Sequence, residues 1–561
     1  MKLTIFILII SCMFATQANA AVYPVSSASE ISSLATSLFP GDTVLLAAKT
    51  WLNEEVVFKG NGSETKPIVF MGDETMKTIF TGTSRMKIAG NYLEVKNVVF
   101  RECAITEEVP VIEFRDGSLL ANHSRLTNVT IDAYSPANKE VDSKYVSLYG
   151  TYNRVDHCSF SGKTNSGATL VVWLDATPDY HQIDHNYFGS RPDLGVNGGE
   201  TIRIGTSDWE SYNSNCIVEL NVFEECDGEI EIISNKSVGN IYRYNTFTNC
   251  NGTLTLRHGS YCKVYGNFFF GGATKNSGGI RLIGEGHEVY NNYLENLNGT
   301  SFRAAICLVN GIPDSPANGY KQVLKASIGY NTIVNCRQAF AIGAEKSTEK
   351  SLAPANSVIE NNLVITSGSS AEVVKEYDTS AGISWTGNIT NATSTGMATP
   401  SGFTTGATLP MVSQGDLQRP TTGNQAIGAA LTGAFDTLSV DIDGQARPSS
   451  LKDVGCDQQS DNQILIRPLT KEDVGPSYSI TTAASDIKKS VERYYVKNDQ
   501  LTIAFDGYGD RIISTYTLDG KLLSKSKTND NQYLASVSGF PQLFIVEIRD
   551  SGGRYSMKLN R

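Results

Sequence analysis

The chain has 561 residues, with 58 acidic against 47 basic side chains and a net charge of -11. Such a length can bury a large core, and such a charge excludes general affinity for nucleic acid, whose phosphates reward a basic surface. A polyanionic partner would have to meet positive charge gathered on one local strip.

Lys2 precedes an apolar run from Leu3 to Phe14, and the small-residue site Ala18-Asn19-Ala20 follows. Residues 1–20 therefore read as a secretory signal, too short for a membrane span, and predict a secreted or periplasmic protein. The alternative is lipidation of Cys12 in Ile9-Ile10-Ser11-Cys12, which would anchor the protein at the cell surface. No later window is long and apolar enough to cross a membrane. Of ten cysteines, removal of Cys12 leaves nine, scattered without CxxC spacing. They give no zinc signature and leave disulfides or free thiols open.

Ser27-Ala28-Ser29-Glu30 forms a capping box before Ile31, Leu34 and Leu38, with Pro40-Gly41 behind them. This predicts a short amphipathic helix that caps the first rung of whatever follows.

From residue 183 one phrase recurs: IDHNYF, VELNVF, YRYNTF and VYGNFF, continuing as VYNNYL, IGYNTI and IENNLV. Its asparagines fall at 186, 221, 245, 267, 292, 331 and 362, the closest steps being 22 to 25 residues. Short β-rich pieces at such a period, with no helical spacing between them, predict an all-β solenoid, a right-handed parallel β-helix. The asparagines then form an internal hydrogen-bonding ladder. Cys226 and Cys250 share a repeat position and should stack, as buried thiols rather than as a disulfide.

Four consecutive repeats also share an alternating strand: TIRI from Thr201, EIEI from Glu229, TLTL from Thr253 and GIRL from Gly279. Alternation points the second and fourth residues inward and leaves two outward columns. One holds Thr201, Glu229, Thr253 and Gly279; the other holds Arg203, Glu231, Thr255 and Arg281. The repeat fades after about residue 370, and the Thr/Gly/Ser-rich stretch 379–430 reads as coil packed on the solenoid. A polar linker at 461–485 separates the β-helix, residues 21–460, from a small β-sandwich at 486–561. The order TYTLDGKLL then FIVEIRDSGGRYSMKL resembles, loosely, the carboxyl-terminal sorting domains of type IX secretion; a carbohydrate-binding or structural module is the alternative.

Glu229 and Glu231, two residues apart on a predicted strand, project from one face and repel unless a cation lies between them. Calcium suits irregular sets of hard oxygen ligands. Lys236 follows five residues later in the predicted turn, Arg257 lies one rung above, and the Asn197-Gly198-Gly199-Glu200 turn lies one rung below. Cations and a metal site thus crowd one strip, whereas Asp156, His157 and Asp184 belong to repeat turns and read as structural.

NGGETIRIG, ECDGEIEIISNKS and TLRHGS together resemble polysaccharide lyase family six, which includes alginate lyases and chondroitinase B. The likeness runs from about 22 to 460 and includes PGDTVLL, NRVDHCSF and DIDGQAR. It implies a calcium-dependent lyase with Lys236 as base, Arg257 as acid, and Glu229, Glu231 and Asn197 as metal ligands. The chemistry is coherent. A proton beside a uronate carboxylate is poorly acidic, and a cation that neutralises that carboxylate eases its removal. Arg203, His258 and Arg281 lie near the same face and are candidates to grip substrate carboxylates.

The expected reaction is β-elimination on an anionic polysaccharide, alginate, with chondroitin or dermatan sulfate as alternatives. A β-helical glycoside hydrolase and a non-catalytic glycan-binding solenoid are the rival classes. The strip shows arginines suited to carboxylates and no extra basic cluster for sulfates.

Overall fold

The computed structural model describes residues 20–367, 371–397, 401–476 and most of 491–560. The leader, including Cys12, lies outside the described residues. Within them, no helix is long and apolar enough to cross a membrane.

The first unit, residues Met1–Ser479, is a parallel β-helix. One face is a fourteen-stranded sheet whose strands pair almost entirely in parallel. The other faces share the long strands Leu93–Cys103 and Arg125–Asp132, and so join into one 26-stranded sheet. Its interior is apolar and stacked: Phe160, Phe188, Phe223, Phe247 and Phe269 lie ring on ring at 4.5 to 5.5 Å. Each buried ring contributes roughly 2 kcal/mol, so the column favours one register.

The asparagines form the second ladder. Each of Asn186, Asn221, Asn245, Asn267, Asn292 and Asn331 donates its amide to the side-chain oxygen of the next at 2.9 to 3.0 Å. Asn362 passes the chain to an eighth member, Asn388, at 2.9 Å, so the repeat persists beyond the expected limit of 370. All eight are fully buried. The residue before each turns the chain through the left-handed region, as at Leu220 (φ 55°), Tyr244 (φ 56°) and Tyr330 (φ 54°). A bulky side chain is strained there, and the ladder's hydrogen bonds offset the strain.

Helix α1 spans Ala28–Leu34; Ser27 Oγ accepts from Glu30 N–H, and Glu30 reaches back to the Ser26 N–H at 2.6 Å. Four strands carry the candidate site: β1 Ile202–Ile204, β2 Glu231–Lys236, β3 Thr253–His258 and β4 Ile280–Leu282. Inward residues Ile202, Ile204, Leu254, Leu256, Ile280 and Leu282 agree with the alternation. The EIEI segment does not. Glu229 and Ile230 precede the strand, and a bulge between Glu231 and Ile233 puts Ile233 opposite Ile202 and Leu254. The outward column is therefore Arg203, Ser234, Thr255 and Arg281, with Ser234 in the place expected for Glu231. Glu231 pairs instead with Thr253.

Residues 401–476 run back along the solenoid. Their contacts descend from Thr332, which accepts from Cys456 N–H at 2.9 Å, to His185, whose carbonyl accepts from Gly475 N–H at 2.8 Å. The first part of the expected linker thus packs on the β-helix, with Leu469 N–H donating to Thr246 at 2.8 Å, and residues 477–490 lie outside the described ones. Cys226 and Cys250 are adjacent buried thiols, the Cys226 N–H lying 3.5 Å from the Cys250 sulfur.

The second unit, Ile480–Arg561, holds two antiparallel sheets of three and four strands. They enclose Leu501, Ile503, Phe505, Ile513, Phe544, Val546 and Ile548.

Candidate active site

Three carboxylates meet at the start of β2. Gly198 takes φ 98°, open to glycine, and a side chain on Gly199 would strike the Gly228 carbonyl at 2.1 Å. The Asn197–Glu200 turn can thus lie flat against Gly228, and the Gly198 N–H donates to Glu229 Oε2 at 3.1 Å. Glu200 is 2 % exposed, and among the described residues neither its Oε2 nor Glu229 Oε1 has a hydrogen-bond partner. Burial, then the charges of Glu200 and Glu231, push the Glu229 carboxyl up to about 8. Buried, unpaired carboxylate oxygens are costly without a compensating cation. Asn197, Asp227, Glu229 and Asn251 share a cavity of about 370 Å³. Hard oxygen donors with unmet demand fit a divalent cation such as Ca²⁺.

Glu200 is a residue that motif reading left aside. Its position rests on another, Arg191, which is 2 % exposed. Arg191 donates to the carbonyls of Glu200 (2.8 Å), Asn165 (2.8 Å) and Gly167 (2.9 Å), fixing the turn from behind. A second acidic group, Asp441, Asp443 and Asp457, lies far along the chain, and there Arg419 already supplies the cation, contacting Asp443 and, at 2.9 Å, Asp457.

Lys236 ends β2 rather than lying in a turn beyond it. It is half-buried and has no carboxylate within ion-pair distance among the described residues. Arg257, on β3, lies 3.9 Å from Glu231 and donates to the carbonyls of Gly319 (2.7 Å) and Asn318 (3.0 Å). Its guanidinium also sits 4.1 Å from the Tyr320 ring centroid. Ser234 donates to Glu231 Oε2 at 2.5 Å.

The three expected carboxylate grips differ in what they offer. Arg203 is half-buried over Trp173, 5.1 Å from its ring centroid, and no carboxylate engages it among the described residues. Arg281 is 3 % exposed and already paired with Glu345 (2.8 Å), with Glu231 at 3.6 Å. His258 is buried between Ser207 (3.1 Å) and Glu210 (3.3 Å). Burial, then Arg257, Lys236 and Lys321, lower its pKa to about 3, so it is neutral and presents no charge to a carboxylate. Asp156 and Asp184 are fully buried and bind Arg125 and Arg154 at 2.6 Å, while His157 Nδ1–H donates to Asp156 at 2.7 Å, away from this site.

The Chondroitinase B family model matches residues 25–429. The chain belongs to polysaccharide lyase family 6. The family's alginate lyase AlyGC is 35% identical, with a TM-score of 0.72 over 84% of this chain and 60% of that one. The chain thus spans about three fifths of the length of AlyGC. A mannuronic-acid-specific family 6 lyase from human gut microbiota is 32% identical, with a TM-score of 0.59 over 66% of this chain and 86% of that one. The family 6 lyase Pedsa3628 from Pseudopedobacter saltans, at 23% identity and a TM-score of 0.62, shares the fold. No curated protein sequence matches.

Proposed function

We propose that this chain is a calcium-assisted lyase that cleaves alginate by β-elimination, leaving a 4,5-unsaturated uronate end. One observation carries the reading: a knot of three carboxylates, two of them with buried oxygens that no described residue satisfies, adjoins a lysine with no carboxylate partner among the described residues and a carbonyl-held arginine. Glu229, Glu231, Asn197 and Glu200 would hold the ion. Bound Ca²⁺ supplies positive charge against the uronate carboxylate and so eases loss of the neighbouring proton.

The protein's own groups do the rest. Lys236, without a carboxylate partner among the described residues and beside the carboxylate knot, would be the base that takes the C5 proton. Arg257 brings fixed positive charge to the leaving oxygen, its N–H groups pinned by two carbonyls. Arg203, braced on Trp173, is the grip for a further uronate. Secretion through residues 1–20 is part of the same proposal.

Alginate is favoured because the relatives above 30% identity carry alginate or mannuronic acid in their descriptions. Chondroitin or dermatan sulfate is the second reading, on the name of the matching family model. Purified protein offered each polymer, with ultraviolet absorbance followed for the new double bond, separates the two. Absorbance from alginate is expected; absorbance from the sulfated polymers alone would replace alginate, and none from any polymer would reject the lyase reading.

A further inference from the structure

Arg257 is held by a segment far from it in sequence. The loop between Ile306–Val309 and Ser327–Gly329 leaves the solenoid two rungs beyond β3, with β4 between, and reaches back to β3. Its neck is tight. Gly311 and Leu352 exchange backbone hydrogen bonds at 2.8 and 2.9 Å, Ile312 N–H donates to Tyr320 O at 2.8 Å, and a Cβ on Gly311 would strike Gln322 Cα at 2.4 Å. Four consecutive residues then meet the end of β3. The Asn318 and Gly319 carbonyls accept from Arg257, and Tyr320 lays its ring 4.1 Å from the guanidinium. Lys321 binds Glu210 at 2.8 Å, which in turn lies 3.3 Å from His258. Tyr320 is itself braced: Lys350 Nζ lies 3.6 Å from its ring centroid, Arg281 donates to its hydroxyl at 3.2 Å, and Glu345 ties those two cations together at 3.1 and 2.8 Å.

A guanidinium carries five N–H donors. Two of them go to the carbonyls, and Nε faces Glu231 at 3.9 Å, beyond hydrogen-bond reach. Among the described residues this leaves two terminal N–H groups for the substrate, in a plane fixed by one ring and two carbonyls. Without that support a long side chain samples many directions, few of them productive. Resting on the lyase reading above, we propose that Tyr320 is a positioning residue: its ring and the Asn318 and Gly319 carbonyls preset Arg257 toward the leaving oxygen, so turnover depends on the 311–322 loop.

Tyr320→Leu removes the flat face on which Arg257 rests. On whichever polymer the parent cleaves, its kcat should fall about 100-fold, the scale of a misplaced catalytic group, with KM within about threefold of the parent. Tyr320→Phe keeps the ring and should recover kcat to within about threefold of the parent. Gly319→Ala tests the carbonyl arm: its Cβ would meet Pro316 Cδ at 2.8 Å, so the peptide must shift, and kcat should fall about tenfold or more at unchanged KM. Urea midpoints read by tryptophan fluorescence should stay close to the parent's, which separates positioning from loss of fold. Should Tyr320→Leu fail to fold, Gly319→Ala decides alone. Parent-like kcat in the folded variants would overturn the proposal. So would a rise in KM at unchanged kcat, which would make the ring a substrate contact, or an equal loss in Tyr320→Phe, which would put the effect in the hydroxyl. No unsaturated product from the parent would instead reject the lyase reading, and this inference with it.

Discussion

Glutamine in place of Glu229 fixes that side chain neutral at every pH while keeping an oxygen to accept the Gly198 N–H. In the metal-free protein the Glu229 carboxyl titrates at about 8 rather than at 4.5. Between those values the folded chain holds a proton that the unfolded chain has released, so stability falls as pH rises through the window. At about 1.4 kcal/mol per pH unit, the window from 4.5 to about 8 sets a ceiling of about 5 kcal/mol. Water entering the cavity of about 370 Å³ screens part of this, leaving about 2–4 kcal/mol. Metal-free Glu229→Gln should therefore unfold at higher urea than metal-free parent at pH 8, and the two should converge near pH 5. Added Ca²⁺ should stabilise the parent and barely move the variant. The tryptophans Trp51, Trp173, Trp209 and Trp385 all lie in the β-helix unit, so their fluorescence follows that unit alone. Parallel pH profiles for the two proteins, or an equal response to Ca²⁺, would refute the reasoning.

Lys236→Ala should cost several powers of ten in turnover while Ca²⁺ binding, read by calorimetry, is nearly unchanged; Lys236→Arg should fail almost as badly, since guanidinium yields no neutral nitrogen. Asn245→Leu removes bonds to Val218 O (2.9 Å) and Asn267 (3.0 Å) and orphans the buried Asn221 N–H, and should lower β-helix stability by about 2–4 kcal/mol in urea unfolding. Removal of residues 480–561 should leave turnover within about twofold, because every proposed site residue lies in the first unit.

Much of this was legible because solenoid repeats align themselves: the asparagine ladder and the inward residues of β1, β3 and β4 follow from period and alternation. The EIEI segment misled for a physical reason. A bulge adds one residue without any composition cue, and Glu-Ile-Glu-Ile-Ile-Ser-Asn can alternate in two frames. The buried choice puts Ile233 and Asn235 inside, where Asn235 meets Tyr242 Oη at 2.7 Å. Arg191 and Tyr320 escaped because loops of unpredictable length bring them to the site; Glu200 stood in the turn already placed beside it, where the glycines of NGGE signalled a close backbone approach but no ligand role. Asn388 was hidden in a Thr/Gly/Ser-rich stretch whose composition reads as coil, although one more rung forms there.

The paired carboxyls Glu229 and Glu231, one held protonated, would also suit a hydrolase, so the bond-breaking chemistry is the claim most exposed to test. Mass spectrometry of the shortest products formed from alginate in ¹⁸O-labelled water decides it. Elimination predicts fragments one water lighter than hydrolysis products, with no ¹⁸O incorporated by bond cleavage. Saturated fragments carrying one ¹⁸O per cut would contradict the account.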